Sequence, residues 1–290
     1  MSIATKTRDE AVSGYGQRRH YNIPTEFWRL WLDSRMTYSC GLWEDGDDLD
    51  RAQLRKIDYM IGAADASGKD RILDIGCGWG SAVGRLLEAH DVKRVVGITV
   101  SASQVDWIGS QVDDERLEVR LEPWADHRTD EPYDSIVSIG AFEHFAQERA
   151  TRDMRLATYR EFFERCRALL KPNGGMSLQT CAKAGGRLDR QAVEDMRLID
   201  EVFIEGAIPW PSEILQAAEG QFQLQFLDNH AHHYVRTSRE WERRLTERRD
   251  EAVELVGEEV TDTFIEFHAA CARRFEQGHA TLVRLGFRRL

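Results

Sequence analysis

Apolar and polar positions follow two different rhythms between residues 71 and 181. Short apolar runs read as strands: "RILDIG" (71–76), "RVVGITV" (94–100), "LEVRLEP" (117–123), "YDSIVSIGA" (133–141) and "MSLQTC" (176–181). Between them stand stretches with helical spacing. These are 79–89, "SASQVDWIGSQV" (101–112) with Ser101 as its cap, and "TYREFFERCRALL" (158–170), closed by the "KPNGG" turn. Strands alternating with helices in this way imply right-handed βαβ crossovers, hence an α/β fold with a mostly parallel sheet and helices on both faces. Ligands bind such sheets at the carboxyl ends of the strands.

The flanks carry other patterns. "HYNIPTEFWRLWLDSRM" predicts a helix over 20–36, opened by Pro24 and Thr25, with Phe27, Leu30 and Trp31 on one face. "EDGDDLD" (44–50) is an acidic loop, with Asp50 as N-cap of a helix running through Met60. Residues 183–219 break the rhythm as a long, mostly helical insertion with "GAIPWPS" as a kinked turn, and predict a lid over the ligand site. "FQLQFLDNHAHHYVRT" (222–237) alternates like a strand leading into a helix. On that strand His232 and His233 take opposite faces, which argues against a metal site built with His230. "RTSREWERRLTERRDE" (236–251) interleaves arginine and glutamate at helical spacing, as a solvated helix does. The expected organisation is a mobile N-terminus (1–19) and a single domain (20–290). Within it lie N-terminal helices (20–65), a core (70–182), the lid insertion (183–219) and a C-terminal part (220–290).

Composition narrows the function. The 290 residues are 42% hydrophobic and 31% charged, with net charge −11. An acidic chain lacks the basic footprint of a nucleic-acid binder and is poorly suited to anionic lipid. No apolar stretch reaches the ~20 residues of a membrane helix, and the first residues lack the apolar core of a signal peptide, so a cytoplasmic location is expected. Cys40, Cys77, Cys166, Cys181 and Cys271 are scattered without CxxC spacing, so neither a zinc site nor a disulfide framework is indicated.

The apolar run "RILDI" ends in glycines spaced GxGxG and then turns amphipathic, as a buried strand does when it enters a helix through a tight turn. Gly76, Gly78 and Gly80 let backbone pass close to a ligand. A dinucleotide fingerprint wants its third glycine three residues after the second, where this chain has Ser81. Asp74, just before the turn, would repel a phosphate. A ligand with an amine or another positive centre fits better, and S-adenosylmethionine has both an ammonium and a sulfonium.

"HYNIPTEFWRLWLDSRMTYSC", "LDIGCGWG", "GITVSASQ", "SIGAFEHF" and "HYVRTSREW" occur in this order. Together they resemble the cyclopropane fatty acid synthase family, which includes the mycolic acid cyclopropane synthases. The resemblance runs from about His20 to the C-terminus. It implies a class I methyltransferase fold, S-adenosylmethionine as cofactor, and methyl transfer to an alkene or, in coclaurine-type relatives, to an amine. It places Tyr38 and Ser39 at the methionine end of the cofactor and Gly76 and Gly78 beneath it. Thr99, Val100 and Gln104 fall around the ribose, Trp124 and Ala125 beside the adenine, and Ile139 in the same pocket. Asp74 belongs to the same cofactor-binding set.

The resemblance also implies a bicarbonate ion, held by a Cys, a Glu, a His and a Tyr, that removes a proton after methyl transfer. Cys40, Glu143 and Tyr234 match three of these positions. Gln179 stands at the fourth, where "LQT" replaces the usual "LHT". A glutamine carries no charge and accepts no proton, which weakens or removes the anion. Glu143 would then act as general base or stabilise a cation, and His144 is a further candidate base. The expected activity is methyl transfer to a nucleophilic carbon of an apolar small molecule. Acyl-chain cyclopropanation with bicarbonate and small-molecule N-methylation are the alternatives, and a homodimeric state stays open.

Overall fold

The computed structural model describes residues 23–147, 149–202 and 206–290. The expected N-terminal segment 1–19 lies outside them. Strands β1 (Arg71–Ile75), β2 (Arg94–Thr99), β3 (Leu117–Leu121), β4 (Tyr133–Ile139) and β5 (Leu170–Lys183) run parallel. Two further strands, β6 (Phe222–Asn229) and β7 (Ala280–Arg289), complete one seven-stranded sheet of order β3-β2-β1-β4-β5-β7-β6. β7 is antiparallel to both neighbours and lies between them. Every residue of β1 is buried, as is most of β2, β4 and β7, because helices cover both faces of the sheet. The order reverses between β1 and β4, and such a reversal opens a crevice at the carboxyl ends of the strands. This is the class I methyltransferase architecture that the family resemblance implied.

The crossover helices are α3 (Ser81–Ala89), α4 (Ala102–Gln111), α5 (Arg152–Leu169) and α7 (Pro211–Ala218). α5 begins six residues before the predicted start, because the Thr151 side chain accepts from Met154 N and caps it. Ser101 holds the cap position of α4, but its hydroxyl bonds to Ser103 rather than to backbone. α7 packs against α5 as an ordinary crossover helix. α6 (Arg190–Val202) instead lies against α10 (Glu258–Glu276).

Three expectations fail for local reasons. Of the helix expected over 20–36, the described residues, from 23 on, form α1 (Thr25–Trp28). Asp33 draws the backbone N–H of Arg35 and Thr37 onto its carboxylate, and Met36 takes a left-handed φ of 60°, so the chain turns instead of coiling on. The second helix, α2 (Leu49–Ala63), is capped by Asp48, which accepts from Arg51 N; Asp50 accepts from Ser34 N. The three histidines begin α8 (Ala231–Glu247) rather than continuing β6, so strand alternation does not describe them. Past them, α8 is the charge-laced helix expected, with Arg243–Glu247 and Arg244–Glu240 pairs outside and Trp241 and Leu245 inside. α9 (Arg249–Val256) follows. No described helix is long and apolar enough to cross a membrane.

Aromatic packing fixes the short N-terminal segment. Phe27, Trp28, Trp31, Met36 and Trp43 are buried with Trp241 of α8 and Phe264 and Phe267 of α10. Burying side chains of this size contributes roughly 2 kcal/mol each before entropy is counted. The segment that follows, 38–41, is thereby laid across the carboxyl ends of the strands.

Gly76 has φ +77°, and a β-carbon there would collide with that of Ala141. Gly76→Ala should therefore destabilise the protein by about 2 kcal/mol, read as a lower urea midpoint. An unchanged midpoint would show that the turn relaxes freely.

Candidate active site

Four segments meet at the crevice. The 38–41 segment crosses from the N-terminal side. The turn after β4 carries Gly140 and Glu143. β5 carries Gln179 and Cys181, and α8 carries Tyr234. Together Tyr38, Ser39, Cys40, Gly140, Glu143, Gln179, Cys181, Tyr234 and Leu282 enclose a cavity of about 30 Å³. A single water needs roughly 10–15 Å³ of such space, so a few heavy atoms fit. Four of the five candidate catalytic residues thus share one cavity wall. His144 does not; its Nδ1 lies against Gly206 on the other side of the turn.

Glu143 is buried, at 8% exposure. Its Oε2 accepts from Thr180 Oγ1 at 2.9 Å and its Oε1 lies 3.5 Å from Cys181 N. Two donors on β5 therefore aim the carboxylate while leaving lone pairs for a ligand. Burial pushes the Cys40 thiol up to about 11, with the Arg284 charge opposing, so Cys40 is a thiol near neutrality. Burial likewise drives the phenols of Tyr38 and Tyr234 well above their ordinary value, and both remain O–H donors. Tyr38 is held among Trp28, Trp31 and Trp241, with ring centroids 5.1–5.4 Å away. Tyr234 lies on Phe275 at 4.5 Å.

Behind this wall sit two cations that the sequence reading passed over. Arg284 of β7 is fully buried and stands opposite Gln179 in the β5–β7 register. Its Nε donates to Gln179 Oε1 at 2.7 Å, and its Nη2 donates to the carbonyls of Cys40 and Gly41 at 3.0 and 3.1 Å. Lys56 of α2 is 1% exposed and donates to Ser39 Oγ at 2.8 Å. Burial pulls the Lys56 amine down to about 7, and the nearby Arg284 charge adds to this. Gln179 thus differs from a His in charge, but the charge has not left the site; it lies one residue deeper. A single arginine inside the apolar run "ATLVRLGF" was the available sequence signal.

The other candidate cofactor residues lie at or just beyond the carboxyl ends of β1 to β4, apart from Asp74 within β1 and Gln104 in α4. Gly76, Gly78, Gly80 and Gly140 all have positive φ, and a β-carbon on Gly78 would meet nothing within 4 Å. A β-carbon on Gly140 would reach Ser39 at 3.4 Å, so the 38–41 segment and the turn after β4 face each other across a narrow gap. Thr99 ends β2 and donates to Gln104 Oε1 at 2.6 Å, which leaves the Gln104 amide N–H free to bind. Val100 beside it is exposed. Trp124 packs on Phe145 and Phe162, with Ala125 next to it, beyond the end of β3. Ile139 ends β4. Asp74 is buried, and burial raises its carboxyl to about 7, with Lys56 opposing. An ammonium group suits that position better than a phosphate does. This arrangement fits S-adenosylmethionine: glycine-lined backbone, a crevice open at the strand ends and a carboxyl at the turn.

Of the three histidines at the start of α8, His233 holds the loop at Trp43 in place. His233 Nδ1 accepts from Trp43 N at 2.9 Å, and burial depresses its pKa to about 4. No metal-binding group occurs among the described residues, and all five cysteines are free.

Compared with known proteins, residues 8–285 match the mycolic acid cyclopropane synthetase family. Cyclopropane mycolic acid synthase 3 of Mycobacterium tuberculosis is 35% identical over 275 residues, covering 90% of this chain and 92% of that one. The solved structure of the cyclopropane synthase MmaA2 from Mycobacterium tuberculosis superposes with a TM-score of 0.85 at 31% identity, covering 93% and 96% of the two chains. The mycolic acid cyclopropane synthase CmaA1, complexed with SAH and CTAB, gives 0.84 at 30% identity and 98% and 99% coverage.

Lys56 sets a pH test. Its folded value, about 7, is below the ordinary lysine value of 10.5, so the unfolded chain holds this proton over that interval while the folded chain does not. Its contribution to stability therefore rises with pH from about 7 towards 10.5 and is constant below. Lys56→Met should be more stable relative to wild type at pH near 6 than near 9, measured by urea unfolding. A pH-independent difference would show that Lys56 keeps an ordinary proton affinity.

Proposed function

The chain belongs to the mycolic acid cyclopropane synthetase family and is an S-adenosylmethionine-dependent methyltransferase, and we propose that its acceptor is a carbon–carbon double bond in an apolar, unsaturated acyl chain. The observation that carries this reading is the convergence of Glu143, Tyr234, Gln179 and Cys40 on one buried cavity beside an aromatic wall. Gln179 taken alone favoured a small molecule over a lipid. With the Arg284 guanidinium directly behind it, that substitution no longer counts against an acyl substrate.

When bound, the cofactor supplies an electrophilic methyl group on a sulfonium. The glycine turn at 76–80, Asp74, Tyr38 and Ser39 would hold its methionine end. Thr99, Val100 and Gln104 would hold the ribose, and Trp124, Ala125 and Ile139 the adenine. Alignment of acceptor and methyl supplies most of the rate in a bimolecular transfer. Attack by an alkene leaves positive charge on the neighbouring substrate carbon. The Glu143 carboxylate, held by Thr180 and Cys181, faces that charge and offers a lone pair for the proton that must leave. The rings of Tyr38 and Tyr234, which line the cavity, would stabilise the cation without quenching it. Bicarbonate also fits the donor set of Cys40, Gln179 and Tyr234, and would supply a base beside Glu143. α6 and its flanks act as the lid in this reading. Their support is Gly206, which packs against the Glu143 backbone.

Mass spectrometry with methyl-deuterated S-adenosylmethionine tests the acceptor. Unsaturated acyl lipids should gain a labelled methylene on ring closure, or a labelled methyl without it. Label found only on amines or on electron-rich ring carbons of small molecules would reject the acyl reading.

Glu143→Gln should lower kcat by roughly 10²–10⁴ and leave the Kd for S-adenosylmethionine unchanged. Near wild-type kcat would make Glu143 structural.

A further inference from the structure

Among the described residues, Arg284 makes no ion pair although it is buried, whereas buried Lys56 has the carboxyl groups of Asp33 and Asp74 near it. Arg284 spends Nε and Nη2 on Gln179 and on two carbonyls, and its buried Nη1 has no partner. Lys56 has the Ser39 hydroxyl. A buried charge without a counter-charge is costly, and a nearby anion relieves it. Both cations reach the cavity through a residue of its wall: Arg284 through Gln179 and the Cys40 carbonyl, Lys56 through Ser39.

The contact with Arg284 also settles which way the Gln179 amide points. A guanidinium only donates, so the amide atom accepting from Nε must be the oxygen. The NH₂ end is thereby left for the cavity that Gln179 lines. In this orientation Gln179 gives N–H donors to a ligand and cannot accept from it. The cavity then presents donors from Gln179 and Tyr234, a thiol from Cys40, and one acceptor carboxylate, Glu143. A planar oxyanion that still carries one O–H matches this set: its bare oxygens accept and its hydroxyl donates to Glu143.

We infer that Arg284 is a positioning residue for anion binding: it locks Gln179 as a donor into the cavity and supplies the positive charge that holds a bicarbonate-type oxyanion there. The assignment rests on the family reading above for the place of the cavity in catalysis, but not on the identity of the methyl acceptor.

The test uses the full-length protein in CO₂-depleted buffer. Titration with ¹³C-bicarbonate, followed by the NMR line width of the ion, reports anion binding without turnover. Calorimetry reports the Kd for S-adenosylmethionine. Wild type should broaden the line saturably. Arg284→Gln should bind bicarbonate about tenfold or more weakly, and Arg284→Lys should recover part of the loss. Gln179→Glu is the second variant, for the case that Arg284→Gln does not fold. Its carboxylate keeps the bond to Arg284 and the shape of the side chain but brings no donor into the cavity, so it should lose bicarbonate binding to a similar degree. The inference is overturned if wild type does not bind the ion or if Gln179→Glu binds it like wild type. It is also overturned if both ligands weaken in parallel in Gln179→Glu. The deuterium assay on the same samples separates the two claims. Methylated acyl product without wild-type anion binding refutes this inference alone. Anion binding without label on any alkene refutes the acyl reading alone.

Discussion

Arg284 enters the interior from β7 and ends where β5 and the segment at Cys40 and Gly41 come together. Its hydrogen bonds to two backbone carbonyls and a side-chain amide replace part of the hydration that a buried guanidinium gives up. They also tie the N-terminal segment to the sheet across a stretch where that segment has no strand partner. Tyr38, Ser39 and Cys40 lie over the ends of β4 and β5 because this tie and the aromatic cluster beneath it leave the segment no other path. A lysine has the charge but not the fork geometry that reaches β5 and the 40–41 carbonyls together.

The aromatic cluster explains why so short a helix suffices at the start of the described chain. Trp28, Trp31 and Tyr38 do not need a continuous helix to share one surface, because Trp241 and Phe264 supply that surface from α8 and α10. Tertiary packing overrides the helical spacing of 20–36, and the Asp33 side chain supplies the hydrogen bonds that the abandoned helix would have made. Burial in the same packing raises the phenols of Tyr38 and Tyr234 and keeps them protonated. A site that must bear a passing positive charge is thus walled by neutral donors and ring faces, with its fixed negative charge concentrated on Glu143.

The core of the fold was legible in the sequence. The runs at 71–76, 94–100 and 133–141 are strands, and the glycine turn lies between β1 and α3, because two-faced burial leaves uninterrupted apolar runs. The segments that failed were those where side chains compete for local backbone: Asp48 over Asp50 as a cap, and Asp33 turning the chain at 35–37. The site was half legible. Cys40, Glu143, Gln179 and Tyr234 share a cavity, as the motifs implied, whereas His144 has the right sequence neighbours and the wrong side of the turn. Lys56 and Arg284 escaped because each sits alone within an unremarkable element, and only the β5–β7 register places Arg284 opposite Gln179. Pairing of distant strands is not written in the periodicity of either one.

The insertion of β7 between β5 and β6 has a kinetic consequence. The contact between Arg284 and Cys40 spans 244 residues of chain. The parallel strands and their crossover helices can assemble from contacts much closer in sequence, whereas this one must wait for its long loop to close. A sheet can thus be present before the cavity is. Ligand-binding competence should then appear as the last event of folding, and the parallel half should persist as an intermediate with an open edge at β5. In a cell that interval is one of exposure, when an unpaired β5 edge is available to other chains.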